Sequence, residues 1–139
     1  IREGFEAMMF APLRKADDPM GTLIELIQRK AKSATLESVT LGCALNNLIQ
    51  EMSPLDAEFK RRLNGILKTW QDTVTDALKR AQKQGRVRKD VDCRAAALFI
   101  VSAFEGCIGI AKNLQSVKDF GQCLSQLESY VRGLCAKKR

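Results

Sequence analysis

The chain contains no histidine. That absence removes serine–histidine triads, cysteine–histidine dyads and histidine-ligated metal sites together. No ExxH pattern exists either, and enzymes built on helical bundles usually carry a metal or general-base constellation of that kind. No catalytic residue, metal ligand or cofactor is therefore assigned, and the chain is expected not to be an enzyme. Prolines number three and aromatics are few, a composition that argues against disordered or fibrous chains. The five cysteines, at 43, 93, 107, 123 and 135, form no CxxC pair and are odd in number. Most lie among apolar neighbours, where a free thiol behaves as a small buried hydrophobe. A reducing, cytoplasmic setting is expected rather than a disulfide framework.

Long apolar runs are nearly absent too. One exists, "AAALFIVSAFEGCIGIA" at 95–111, but it is short for a membrane span and carries Glu105 in its middle. No membrane partner is expected. What is present is ordinary globular material: 139 residues suit one domain, with 45% apolar and 28% charged residues. The formal charge of +7 is scattered over small clusters, "KRR" at 60–62, "RVRK" at 86–89 and "KKR" at 137–139. These read as solvated helix faces and a basic tail over 136–139.

Periodicity of three to four residues runs almost throughout and predicts an all-α, multi-helix fold. A first helix from about residue 2 to Leu13 is disturbed by Pro12. Asp18 caps a second, with Pro19 at its first position and a stripe of Met20, Leu23, Ile24, Ile27 and Ala31. A third spans "GCALNNLIQEM" at 42–52, with Leu41, Leu45, Leu48 and Met52 on one face. Cys43, Asn46, Asn47 and Gln50 lie on the other. After "SPLD" comes a long rod: Ser53 can cap it, Pro54 takes the first turn and Asp56 adds favourable charge. Its stripe is Phe59, Leu63, Ile66, Leu67, Trp70, Val74, Ala77, Leu78 and Ala81, and Gly85 ends it. Asp90 or Asp92 starts the apolar helix, and "SVKD" at 116–119 starts the last.

Those two final helices ask for a second molecule. Ala95, Ser102, Gly106 and Gly109 line a small-residue side of the apolar helix, while Ile100, Val101, Phe104, Cys107 and Ile108 line a bulky one. Val117, Phe120, Leu124, Leu127, Val131 and Leu134 follow an a/d spacing of 3, 4, 3, 4, 3. A two-faced helix beside such a seam favours a two-fold dimer, with two helices of each subunit in an intersubunit four-helix bundle. The interface is expected at Ala95, Ser102, Gly106, Gly109, Phe120, Leu124, Leu127 and Val131. A seam that packs only within the chain is the competing arrangement.

The order of parts, "GCALNNLIQEMSPLDAEFKRRLNGILKTWQDTVTDALKRAQKQG", then "DVDCRAAALFIVSAFEGCIGIAKN", then a closing helix, resembles the C-terminal regulatory domain of the tetracycline-repressor (TetR) family of bacterial transcription factors. Gly42-Cys43, Glu51, the Phe59 and Trp70 helix and Phe104-Glu105-Gly106 carry the resemblance, which covers the whole chain. It implies a homodimer paired through the last two helices and a small-molecule effector bound among the middle helices. It also implies contact with operator DNA only through an N-terminal helix-turn-helix domain, absent here. Helical periodicity is already running at Ile1, so the chain is expected to be cut from a longer polypeptide. Residues 1–15 would be the linking helix and 16–135 the ligand-binding and dimerisation domain. The implied function is a repressor released from DNA by a small apolar or electrophilic molecule. The alternative is a stand-alone helical dimer acting as an interaction module.

Apolar pockets fix a ligand's orientation with a few polar groups. Cys43, Asn46 and Asn47 are the candidate polar contacts, and Leu67, Trp70, Ile100 and Phe104 the candidate wall. Each has a plainer reading. The asparagines can face water or tie down a loop, Trp70 sits mid-stripe as core does, and Cys43 can be an inert residue at a tight contact rather than a reactive sensor. Glu105, in line with Arg94 and Lys112, is expected at a rim or in a cross-dimer salt bridge.

Overall fold

Capping side chains define where the helices begin. In the computed structural model, which describes residues 1–137, Asp18 Oδ1 accepts from the Gly21 N–H at 3.0 Å and starts α2, Pro19–Lys32. Thr35 and Ser38 exchange side-chain hydrogen bonds with each other's N–H groups, a capping box that opens the short α3, Leu36–Leu41. Cys43 precedes α4, Ala44–Met52. Asp56 accepts from the N–H groups of Glu58 and Phe59 at the start of α5, Ala57–Lys83. Asp92 does the same for Arg94 and Ala95 at α6, Cys93–Leu114, and Ser116 accepts from Asp119 at α7, Val117–Gly133. The Ser53 cap expected for α5 is a turn residue instead, displaced by Asp56. The expected helix over 42–52 is shorter, and α3 before it was not anticipated; Gly42, at φ 72°, separates the two. Gly85, at φ 76°, follows α5 as expected.

The first helix, α1, runs in three contiguous parts: Arg2–Phe5, a π-helical turn Glu6–Phe10, and Ala11–Lys15. Pro12 explains the middle part. It has no N–H to give the Met8 carbonyl four residues back, and its ring crowds that carbonyl. The register slips by one, so that the Ala11 N–H bonds to Glu6 O. Met8 O takes its hydrogen bond from Arg29 Nη2 of α2 at 3.3 Å. The helix survives its proline and ends at Lys15. Arg80 of α5 then caps it, donating to Leu13 O at 2.5 Å and Ala16 O at 2.8 Å.

Helices α2, α5, α6 and α7 pack in a closed ring, each touching the next. The end of α1 lies on α2 and α5, α3 closes over α6 and α7, and α4 rests on α5. The ring's interior takes the predicted stripes: Leu23, Ile24 and Ile27; Leu63, Ile66, Trp70, Val74 and Leu78; Ile100, Phe104 and Ile108. Phe59 and Leu41 stay outside, both largely exposed.

The same interior claims the a/d seam. Phe120, Leu124, Leu127 and Val131 are 0–3% exposed within a single chain. They fill the chain's own core against α2 and α6, so these four side chains, expected at an interface, are taken up within the chain. Helices α2, α5, α6 and α7 form a four-helix packing within the chain.

By length and composition α6 is able to cross a membrane, with a mean hydropathy of 1.6 over its most apolar stretch. Half of that stretch is buried inside the bundle. Its apolarity comes from facing helices on several sides. A covalent link joins α6 to α7: Cys107 and Cys123 form a disulfide where none was expected, and Cys43, Cys93 and Cys135 are free. Of the basic tail, Lys138 and Arg139 lie outside the described residues.

Candidate functional site

The α3–α4 corner at Gly42-Cys43 meets the middle of α6, and most of the polar chemistry of the interior gathers there. Asn47 donates from Nδ2 to Leu41 O at 3.0 Å, closing the corner on itself, and accepts from Lys112 Nζ of α6 at 3.0 Å. Asn46 donates to the Glu105 backbone carbonyl at 3.3 Å. The two asparagines therefore act as ties between α4 and α6. Glycine at 42 makes the Lys112 tie fit, whereas a side chain at 109 would meet Asn46 at ordinary contact distance. A Cβ at Gly109 would stand 3.4 Å from Asn46 Nδ2, and one at Gly42 would stand 2.8 Å from Lys112 Cδ. Gly109, expected to face a partner subunit, is half-buried against α4 instead.

Glu105 is the unexpected member. Both carboxylate oxygens are buried and without a hydrogen-bond partner, so the rim position and the cross-dimer salt bridge are corrected. The Cys43 thiol lies beside the carboxylate and Lys30 acts on it from farther off, but neither reaches an oxygen in bonding geometry. Burial pushes the Glu105 carboxyl up, an effect that Cys43 and Lys30 only partly offset. Burial also pushes the Cys43 thiol up. The N–H groups at the start of α4 oppose this, and the Glu105 charge reinforces it. A reactive cysteine needs a lowered pKa and access. Cys43 in this conformation has an environment that opposes the thiolate.

Sequence periodicity had no signal for a buried, unpaired carboxylate. Position 105 follows Phe104 by one residue, which turns it off the bulky face by about 100°. Only the placement of the α3–α4 corner buries it. A small cavity of about 10 Å³ opens next to this cluster, lined by Lys30, Ser38, Val39, Gly42, Ile108, Ala111 and Phe120. That is about the space of one water molecule.

The candidate wall residues come from two helices, Leu67 and Trp70 from α5 and Ile100 and Phe104 from α6. Trp70 packs edge-on to Phe104, centroids 5.5 Å apart, and tilts against Phe5 of α1 at 5.1 Å; Phe5 meets Phe10 at 5.8 Å. Trp70, Ile100 and Phe104 are buried, and Leu67 is half-buried. An aromatic chain thus runs from α6 through α5 to the first helix.

On the outer side of α6, Ala95, Ser102 and Gly106 are exposed, and nothing lies within 4 Å of a Cβ placed on Gly106. Leu98, Phe99, Ile110 and Leu114 of the same helix are each more than half exposed. Phe99 rests on Tyr130 of α7, centroids 4.6 Å apart.

Among the described residues the fold is seven helices, four of them in a closed ring. Three solved structures share it. A regulatory protein TetR from Rhodobacter sphaeroides superposes with a TM-score of 0.78 and 24% identity, over 93% of this chain and 69% of that one. A TetR-family transcriptional regulator from Cytophaga hutchinsonii gives 0.84 and 17%, over 98% and 68%. One from Chloroflexus aurantiacus J-10-FL gives 0.79 and 18%, over 96% and 68%. In sequence, the chain is 38% identical to the transcriptional regulator AcuR of Cereibacter sphaeroides over 71 residues, 51% of this chain. The matched stretch spans about a third (32%) of that regulator's length. The family profile described as "Tetracyclin repressor-like, C-terminal domain" matches residues 19–127. The chain belongs to this family, which is one of transcription regulators.

Proposed function

We propose that this chain is the effector-binding and dimerisation domain of a cytoplasmic TetR-like repressor, which leaves its operator when a small molecule binds. The family match over 19–127 carries the reading. The aromatic chain Phe104–Trp70–Phe5 supports it, because it gives the core a packed route to α1, residues 1–15, the helix that would lead to a DNA-reading head. A ligand that separates Trp70 from Phe104 would shift Phe5, and two heads that must meet half-sites about one helical turn apart are sensitive to such a shift.

The proposed lining is Leu67, Trp70, Ile100 and Phe104 for the apolar wall, with Cys43, Asn46 and Asn47 at the polar end. A ligand using the asparagines must first displace their bonds to Glu105 O, Leu41 O and Lys112. The homodimer is proposed through the outer side of α6, where Ala95, Ser102 and Gly106 allow close backbone approach and Leu98, Phe99 and Ile110 supply apolar area. Two copies related by a two-fold axis would cover that face on both.

The test begins with the coding sequence upstream of Ile1, read for three short helices with a turn before the last. The full chain is then assayed for retardation of DNA from its own promoter and for release by candidate ligands. Ligand-dependent release upholds the reading. A dimer that retards no DNA gives first place to the interaction module.

A further inference from the structure

The Cys107–Cys123 bridge stands at odds with the cytoplasmic setting proposed above. A disulfide in that compartment is usually transient and serves catalysis or redox sensing, because the thiol pool keeps structural ones reduced. The helices that carry the bridge do not depend on it for their packing. Phe104 and Ile108 of α6 and Phe120 and Leu124 of α7 are buried in one core. The Cα atoms of 107 and 123 lie 5.6 Å apart, within the range a disulfide needs. Core packing thus keeps the two sulfurs within reach of each other whether or not the bond exists.

The two sulfurs differ in access. Cys107 is 4% exposed, whereas Cys123 is half-buried and open to approach from solvent. Reversible thiol sites pair an accessible sulfur with a resolving cysteine in this way. The other three cysteines are free, and burial pushes the Cys43 and Cys93 thiols up.

The bridge also bears on the outer face of α6. Cys123 and Tyr130 stand seven residues apart, about two turns along one side of α7. Tyr130 packs on Phe99 of α6, and Phe99 is among the exposed apolar residues of that outer face. The bond and the aromatic pair are therefore two fastenings on one α6–α7 seam. With both closed, the Phe99 ring is set before a partner arrives. With the bond open, α7 can shift along α6 and carry Tyr130 with it.

We infer that Cys107 and Cys123 form a reversible oxidation site for peroxides, and that the bridged chain binds a second copy of itself more tightly than the dithiol chain does. The Cys123 thiolate attacks a peroxide oxygen, the O–O bond breaks, and water or an alcohol leaves a sulfenic acid on Cys123. The Cys107 sulfur then displaces the hydroxyl, which departs with the Cys107 proton as water. The pair gives up two electrons and the peroxide takes them. A dithiol reductant reverses the step by attacking Cys123, releasing Cys107 and leaving as its own disulfide. This rests on the dimer reading above and adds its regulation.

The test uses the wild-type chain without denaturant. Dithiothreitol is expected to raise the alkylated thiol count from three to five with no loss of helix by circular dichroism. Hydrogen peroxide, added once the reductant is removed, should return it to three, with Cys107 joined to Cys123 in the peptide map. Sedimentation equilibrium should give a dimer Kd roughly tenfold lower for the bridged form, through pre-organisation of the face. Cys123→Ser should show one Kd under both reagents. A bond that opens only in denaturant, helix lost on reduction, peroxide consumed at Cys43 ahead of the pair, or equal Kd values for the two forms overturns the inference and leaves the dimer reading standing. If the chain is monomeric in both forms, the two fall together. The comparison of Kd values is made within wild type, so a misfolded Cys123→Ser does not rescue the proposal.

Discussion

Lys112 reaches over Gly42 to donate to Asn47 Oδ1 at 3.0 Å, its stem occupying the space where any other residue at 42 would place its Cβ. Gly42 also sits at φ 72° and ψ −156°, a region kept essentially for glycine, where a side chain costs about 1–3 kcal/mol. Gly42→Ala is therefore expected to lower stability by about 1–3 kcal/mol, combining backbone strain and steric overlap. In a Lys112→Ala background the overlap is gone and the strain remains, so the Gly42→Ala penalty should shrink but not disappear. A double-mutant cycle in urea measures both parts. Equal penalties in the two backgrounds would refute the contact.

Glu105→Gln should stabilise the chain at neutral pH. A carboxyl whose folded pKa stands above its unfolded value binds its proton more tightly when folded. Its contribution is favourable at low pH and is lost as pH rises through the folded value. Cys43 and Lys30 are the titratable groups that act on it, and of the two only Lys30 carries a charge to soften the effect. The variant's advantage over wild type should grow as pH rises above the ordinary carboxylate range. Urea melts at several pH values give the difference directly. A flat or falling difference would show the carboxylate to be solvated.

Folding and association should separate by helix face. Gly106→Arg adds a charge on the open side of α6 and is expected to leave the melting temperature near wild type while abolishing the dimer in light scattering. Leu124→Ala empties a fully buried position and should cost about 2–5 kcal/mol without acting through the interface. An unchanged dimer mass for Gly106→Arg would move the interface away from this face.

The Cys107–Cys123 bridge closes a loop of sequence separation 16 between α6 and α7. Restricting the unfolded chain over such a loop contributes about 3 kcal/mol. Cys123→Ser, or wild type under a strong reductant, is expected to lose about that much in denaturant melts. The two should agree, and reductant should have no further effect on the variant. A thiol count of five in the untreated, unfolded protein would dispose of the bridge.

Much of this protein was legible in one dimension. Asp18-Pro19, Asp92 and Ser116 mark helix starts because a short oxygen-bearing side chain satisfies N–H groups two or three residues on, a local event. Gly85 marks an end by its backbone freedom. The stripes on α2, α5 and α6 reached the core because helical spacing alone puts those residues on one side. Even Pro12 announced its disturbance, though not its remedy: the hydrogen bond lost at Met8 is replaced by Arg29, which only packing brings near.

What the tertiary structure decided are the contacts between residues far apart in sequence. The seam of α7 reads identically whether it meets its own α2 and α6 or a partner's helices, so periodicity had no means of choosing. Asn46 and Asn47 sit 59 and 65 residues from Glu105 and Lys112, to which they bond. Cys107 and Cys123 are ordinary small hydrophobes until α6 and α7 align them. Glu105 is an exposed-looking acid on a helix until the α3–α4 corner covers it. Periodicity fixes which side of a helix turns inward; the crossing of helices decides which polar atoms on the remaining sides lose their water, and those atoms make up the candidate site.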